Sequence, residues 1–482
     1  MTAMKESRRT NLIILGAILM IAGAFAVYAS MIMRWFSTPA ATGAASAPAA
    51  SGVSAQAALE DARREFRERL LDPAAHLKLS EALWRAGRPV DAFYVMYAAR
   101  QIFPDEAFRR AHAEIVLGVG GPAAAERQRL RGLTDPAMAV PIHAEVARDY
   151  PASPEGRDSL DQLSQLAMAT DNGPGADAGR IARTALEELH RADPRNPEKL
   201  AALAGAYFGR GDAATAQALA TEAWNKYPGQ AGAARILGML ALRDRDIDAA
   251  LKWLTAAWDR DPDDLYSAAK LAQIYEKRRG DPEGALPFYL ALYRQNPDYA
   301  EDEPAETIIR ETLDHRRESL LKDAPVEGLG GRFKLDDASL RAEAALRAAV
   351  FKDPRWIDAL GDLLDDDCEI VRRNADYALF QIAAKEPDAV RARRAQWLGS
   401  EKPLVRIRAL NLFADLDGKN ALPAVSEALR DPNAAVRVFA KIMVLDHYYK
   451  GVPEAAKLRS RYLAEEKDPE ALDFLKRFGA GR

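Results

Sequence analysis

Two stretches of this chain, YFGRGDAATAQALATEAWNKYP (Tyr207 to Pro228) and ALRDRDIDAALKWLTAAWDRDP (Ala241 to Pro262), carry small residues, tryptophan and a closing proline at the same offsets, 34 residues apart. That period is too short for a domain and suits one helical hairpin. A lone hairpin has no second layer against which to bury its apolar face, so successive copies must stack. Counted from Pro197, the small and apolar positions are Leu200, Leu203, Ala204, Tyr207, Ala216, Ala220, Ala223 and Pro228. Counted from Ala231, they are Ala234, Leu237, Gly238, Ala241, Ala250, Leu254, Ala257 and Pro262. A third copy from Leu265 has Ala268, Leu271, Ala272 and Tyr275, then, after one inserted residue, Ala285, Tyr289, Leu292 and Pro297. An earlier copy from Pro73 has Leu79, Ser80, Leu83, Ala92, Met96, Ala99 and Pro104. The three- and four-residue spacings predict helices, and the small residues mark where two helix axes must approach closely. The prolines lack an N–H and end the second helix of each pair.

A second repeat begins near residue 350. In LLDDDCEIVRRNADYAL, WLGSEKPLVRIRALNLF and ALRDPNAAVRVFAKIMV, a Val-Arg pair (Val371-Arg372, Val405-Arg406, Val436-Arg437) follows a leucine by seven residues and precedes an alanine by four. The leucines are Leu364, Leu398 and Leu429, and the alanines are Ala375, Ala409 and Ala440.

The first set resembles the tetratricopeptide repeat, a family of 34-residue helix–turn–helix units. The match covers 197–297 and the copy at 73–104, with GRGD (Gly209 to Asp212) and RRGDPEG (Arg278 to Gly284) as turns inside repeats. Residues 105–196 read as helical but irregular, broken at LGVGGP (Leu117 to Pro122) and DNGPG (Asp171 to Gly175). The second set resembles short HEAT repeats of the kind found in phycobilin-lyase-like proteins. Together the resemblances imply an all-α solenoid, tetratricopeptide-like over 58–297 and HEAT-like with a C-terminal cap over 336–482, joined by an acidic helix and Gly-rich hinge at 298–335. Solenoids of these families present long surfaces to protein partners.

The N-terminal region reads differently. Asn11 to Met33 holds no charge and as a helix would be about 35 Å long, enough to span a hydrocarbon core. A cleaved signal peptide is the alternative. The apolar run is long for one, however, and the nearest small-x-small site, Ala45-Ser46-Ala47, lies well downstream. The expectation is a single transmembrane helix over 11–33. Lys5, Arg8 and Arg9 before it, with Arg34 alone close after it, keep the 1–10 tail in the cytoplasm and place the bulk of the chain outside. With the Ala/Arg-rich composition, this suggests the inner membrane and periplasm of a Gram-negative-type bacterium. Gly16, Ala22, Gly23, Ala26 and Ser30 offer small-residue contacts for a partner helix, although membrane helices are commonly rich in such residues. Residues 34–57 are Ala/Ser/Pro/Gly-rich and, but for Arg34, uncharged; they read as a flexible linker.

No catalytic constellation emerges from the sequence. The six histidines (His76, His112, His143, His190, His315 and His447) show no pair four apart and no His-Glu-x-x-His frame. The acidic run at Asp259 to Asp264 lacks the glycine and the closing glutamate of a calcium loop. GLGGRF (Gly328 to Phe333) lacks the Lys-Ser/Thr of a phosphate loop. A formal net charge of −4 gives no support for nucleic-acid binding. The lone cysteine, Cys368, excludes an intrachain disulfide and reads as a half-buried helix position. No metal or cofactor is expected and no enzymatic activity.

The candidate partner-binding residues are Arg235 and Lys270 on the inner helices of the first array, and Arg372, Arg373, Arg406 and Arg437 on the second. The competing reading of those four arginines is internal pairing with acidic turn residues such as Asp366 and Asp431. The functional expectation is a membrane-anchored periplasmic scaffold, accessory subunit or assembly factor. A chaperone with many clients and a HEAT-type, lyase-like enzyme are the alternatives.

Overall fold

The computed structural model of the chain describes residues 52–116, 136–149, 154–167, 176–300, 303–321 and 328–479. The expected cytoplasmic tail, the transmembrane helix with its small-residue stripe and most of the linker lie outside the described residues. Among those described, no helix is long and apolar enough to cross a membrane. Regular structure is all helical apart from an isolated bridge between Ala300 and Pro304. The expectation of an all-α, solenoid-like chain therefore holds for this part.

Repeated hairpins form the middle of the molecule: α8 (Pro197–Gly209) with α9 (Ala213–Lys226), α10 (Ala231–Arg243) with α11 (Ile247–Arg260), and α12 (Leu265–Gln273) with α13 (Pro282–Gln295). Their period is written in the caps. Asn196, Gln230 and Asp264 each accept a backbone N–H at the start of a first helix; Asp212, Asp246 and Asp281 do so at the start of a second. Each such cap contributes about 1 kcal/mol. The residue just before each second-helix cap is left-handed: Gly211 (φ 81°), Arg245 (φ 62°) and Gly280 (φ 62°). Small residues sit at the crossings, with Ala204, Ala216, Ala220 and Ala223 fully buried. The inserted residue of the third copy is absorbed where α12 widens into a π-turn over Ile274–Arg278. A π-turn takes up one extra residue without ending the helix.

The irregular stretch supplies α5 (Pro136–Asp149), α6 (Pro154–Ala167) and α7 (Ala176–Ala192). These close a core of Leu160, Leu163, Leu186 and Leu189 against Ala202 and Leu203 of α8. Ser164 donates to Ala202 O (3.2 Å), and Arg183 donates to Ala167 O (2.9 Å).

The earliest hairpin does not follow sequence order. It comprises α2 (Pro73–Arg85) and α3 (Pro89–Ile102), preceded by α1 (Gly52–Glu68) and followed by α4 (Asp105–Ile115). The helix α1 takes up residues 52–57 of the expected linker, and Leu59 anchors it at 1% exposure. This unit packs beside α13, more than 180 residues away. Arg294 of α13 grips Glu81 with two bonds (2.9 and 2.8 Å), His112 donates to Arg294 O (2.8 Å), and Phe93 meets Tyr293 edge-on.

The unit's other side meets the C-terminal array. After α14 (Ala305–Leu321) and the short α15 (Leu329–Arg332), this array runs through α16 (Ala338–Phe351), α17 (Ile357–Leu363), α18 (Glu369–Ala383), α19 (Pro387–Arg391), α20 (Arg394–Leu398), α21 (Pro403–Asp417), α22 (Leu422–Ala428) and α23 (Ala434–Phe439). It ends with α24 (Pro453–Glu465) and α25 (Pro469–Gly479). Asp91 of α3, 0% exposed, accepts from Ala338 N (2.6 Å), Arg341 Nη2 (3.2 Å) and Arg88. From α1, Arg63 reaches Asp367 (2.8 Å) and Arg67 reaches Asp365 (3.0 Å). One apolar core runs from Phe66 and Leu83 through Leu292 and Leu313 to Ile382 and Leu412. The first hairpin is thus a wedge shared by both arrays.

Candidate binding surfaces

On the inner helices of the middle array, Arg235 projects from α10 toward α6. Its Nη2 lies 2.5 Å from Asp161 and its Nη1 lies 3.3 Å from Asp264, the residue that also caps α12. Burial opposes the charge of Arg235, but the two carboxylates outweigh it and raise the guanidinium's pKa. Arg235 is thus engaged by Asp161 of α6 and Asp264 rather than left open to a partner, and Met239, one turn further along α10, is 8% exposed. Lys270 is half-buried, with Nζ 3.2 Å from Gln273 Oε1 and 5.8 Å from the Tyr266 ring.

On the C-terminal array the arginines form a ladder. Each donates Nη1 to the carbonyl six residues before it: Arg341 to Leu335 O (2.6 Å), Arg372 to Asp366 O, Arg406 to Ser400 O (2.6 Å) and Arg437 to Asp431 O (2.9 Å). That bond ties a helix to the turn preceding it. Three of them also fork onto an acid in the following turn. Arg341 takes Asp366 (2.8 and 2.9 Å), Arg406 takes Asp431 (2.7 and 2.7 Å), and Arg437 takes Glu466 (2.8 and 3.0 Å). Each acid holds its own turn by accepting the N–H two residues on, at Cys368, Asn433 and Asp468. Arg372 departs from the pattern because Ser400 stands where the acid would be. It turns to Glu369 (2.9 Å) instead. Burial would raise Glu369, but Arg408 and Arg372 outweigh it and hold its carboxyl at about 2.

The sequence candidates therefore separate. Arg372, Arg406 and Arg437 spend their guanidiniums on internal carbonyls and carboxylates, and the Asp366 and Asp431 carboxylates serve the arginine of the preceding turn. Arg373 is exposed. Sequence reasoning missed Arg341, although its frame was present: Leu340-Arg341 has Phe333 seven residues before and Ala344 four after. Leucine in place of valine hid it.

Titratable groups elsewhere serve packing. His76, held between the Phe66 and Phe103 rings, donates to Leu70 O (3.0 Å), and burial lowers it to about 4. Burial pushes the Asp91 carboxyl up to about 6 while Arg341 and Arg88 pull it down, so it is charged at neutral pH. Cys368 is fully buried, donates its thiol to Asp91 O (3.6 Å), and is raised by that burial. A cleft of about 280 Å³ opens where α1, α3 and the C-terminal array meet, lined by five basic and five acidic side chains, so it selects no ligand charge. Among the described residues no His/Cys/Asp/Glu group is arranged to hold a metal.

No known protein family pattern matches the chain, and no curated protein sequence matches it. Among solved structures the chain is similar to the human IFIT1 dimer with m7Gppp-AAAA, at 15% identity over 85% of this chain and 95% of that one, with a TM-score of 0.23. At that score the likeness carries neither fold nor ligand over to this chain.

Proposed function

We propose that this chain is a membrane-anchored scaffold, an accessory subunit or assembly factor that holds other proteins of an envelope complex on tetratricopeptide-like and HEAT-like arrays. The reading places the N-terminus in the cytoplasm and the arrays in the periplasm of a cell with an inner membrane. It takes protein partners, with a partner transmembrane helix as a further contact, and neither nucleic acid nor cofactor. The observation that carries it is the stacking of sequence-repeated hairpins, a construction whose product is extended surface. The wedge formed by the first hairpin adds a reason for rigidity, since it ties both arrays into one apolar core.

The test is purification of the tagged full-length chain from native membranes in mild detergent, with mass spectrometry of what remains bound. A parallel chain should begin at Gly52, because a later start would cut into α1. A few partners in constant ratio are expected, and loss of any on truncation assigns that contact to the membrane segment. A varied, substoichiometric set of clients would favour a chaperone, and a retained chromophore would favour the lyase-like enzyme. Fusion reporters at each terminus test the orientation, with a cytoplasmic C-terminus overturning it.

A further inference from the structure

Two buried polar atoms of opposite character are left without a hydrogen bond in the cleft where α1, α3 and the C-terminal array meet. One is a donor, the Nε–H of Arg88 at the start of α3. The Nη2 of Arg88 serves Asp91, while its Nε stands 3.8 Å from Asp336 Oδ1, too far for a hydrogen bond. The other is an acceptor, Oδ1 of Asp367 in the turn before α18. Asp367 is 6% exposed, and its Oδ2 accepts from Arg63 Nε (2.8 Å), but its Oδ1 stands 3.7 Å from Arg67 Nη2.

Buried polar atoms are normally satisfied, so such orphans call for a water or a ligand. An unfilled guanidinium N–H is best met by an anionic oxygen, and an unfilled carboxylate oxygen by a cationic donor. The rim of the cleft repeats both demands. Lys334 is exposed and in no ion pair among the described residues, and Asp336 faces it with a side chain 88% exposed. Leu335, 37% exposed, adds an apolar wall. Arg341 and Asp366, also in the lining, are spent on each other (2.8 and 2.9 Å). At about 280 Å³ the cleft has room for a handful of waters and falls below the size of a drug-sized pocket, so its occupant is small.

We infer that this cleft binds a small zwitterion of the α-amino acid class, its carboxylate on Arg88 and Lys334, its ammonium on Asp367 and its side chain against Leu335. A lining without net charge gives no advantage to a lone ion, which would fill one orphan and face like charge at the other. A zwitterion fills both. The walls come from α1, α3 and the turn before α18, so an occupant also ties the first hairpin to the C-terminal array. The site does not depend on the scaffold reading.

The test is a thermal melt of the full-length protein with each standard amino acid in turn, followed by calorimetry on those that respond. At least one should raise the melting temperature, and further with concentration, because it binds the folded chain alone. Its two halves, the acid without the amine and the amine without the carboxylate, should bind at least about tenfold more weakly. Lys334→Glu reverses one exposed charge, so the empty variant should melt with the parent while its affinity falls about tenfold. Asp367→Asn should also weaken binding, and hydrogen exchange with the amino acid bound should slow together in 60–67, 88–91 and 365–367. No response to any amino acid overturns the proposal and leaves the two orphans to water. Binding of either half as tight as the whole overturns it too, as does unchanged affinity in Lys334→Glu or protection confined to other segments. A chain that purifies from membranes without partners sinks the scaffold reading and leaves this site standing.

Discussion

The middle array and the C-terminal array repeat at nearly the same interval and are cemented by different physics. In α8–α13 the hairpins close on small residues, with Ala204, Ala216, Ala220, Ala223 and Ala250 each 0% exposed, and a buried charged pair enters only where Arg235 meets the capping Asp264. In α16–α25 the joints are charged. Arginines at one helix start fork onto the acid of the next turn, as Arg341, Arg406 and Arg437 do. A small-residue crossing tolerates no added volume and is indifferent to pH. A charged joint tolerates volume and depends on both partners keeping their charge. The same period thus fixes neither the material of a joint nor its vulnerability.

Removing a rung should give the largest effect. Arg341→Ala takes the forked cation from the half-buried Asp366 and leaves the buried Asp91 with Arg88 alone, a loss of about 3 kcal/mol, the low end for breaking a buried pair. Chemical denaturation should show the C-terminal array and the first hairpin losing stability together. A loss under about 1 kcal/mol would say that the rung is ornamental.

Glu369→Gln comes next, at about 3 kcal/mol near neutral pH, because Arg408 and Arg372 hold that carboxyl at about 2 against an ordinary 4.5. The sign is that of a depressed acid. The contribution is complete above about 4.5 and is lost as pH falls toward 2, so parent and variant melts should converge there. Asp91 and Asp376 run the other way. Burial raises both to about 6, so the folded chain gains protons first and gains stability as pH falls from 6 toward 3.8. The C-terminal array should therefore hold at pH 5 and fail only in stronger acid. Melts at graded pH in which parent and Glu369→Gln keep a constant gap would contradict this.

The matching break in the middle array is steric. A Cβ on Gly238 would lie 2.7 Å from Cγ and Cδ2 of the fully buried Leu254, so Gly238→Val should cost about 2 kcal/mol at any pH. Equal stability of Gly238→Val and parent would remove the close crossing from the account. The smallest effect sharpens the turn. Arg245 alone among the three matching turns holds a left-handed backbone without glycine, and Arg245→Gly exchanges about 1 kcal/mol of strain for nearly as much chain entropy. A gain of at most about 0.5 kcal/mol is expected in a thermal melt.

What the sequence made legible follows the same division. The 34-residue period could be read because caps, turns and crossings are local. The inserted residue of the third repeat could be counted, but its placement in a π-turn at Ile274–Arg278 depends on packing. The Val-Arg frames were visible, yet the choice of acid was not, since Asp366 serves Arg341 rather than Arg372, the arginine nearer to it in the chain. The docking of the first hairpin was illegible, because its bonds join Glu81 to Arg294 and Asp91 to Arg341 across 213 and 250 residues.

The central claim is that the first hairpin belongs to the C-terminal array as much as to the hairpins that share its sequence pattern. Native-state hydrogen exchange on the full chain and on Arg341→Ala tests it most directly. Arg341→Ala should speed exchange together in 73–102 and in α16 and α18, while α8–α11 keep the parent's protection. Exchange in 73–102 that follows α5–α7 instead, or ignores the substitution, would contradict it.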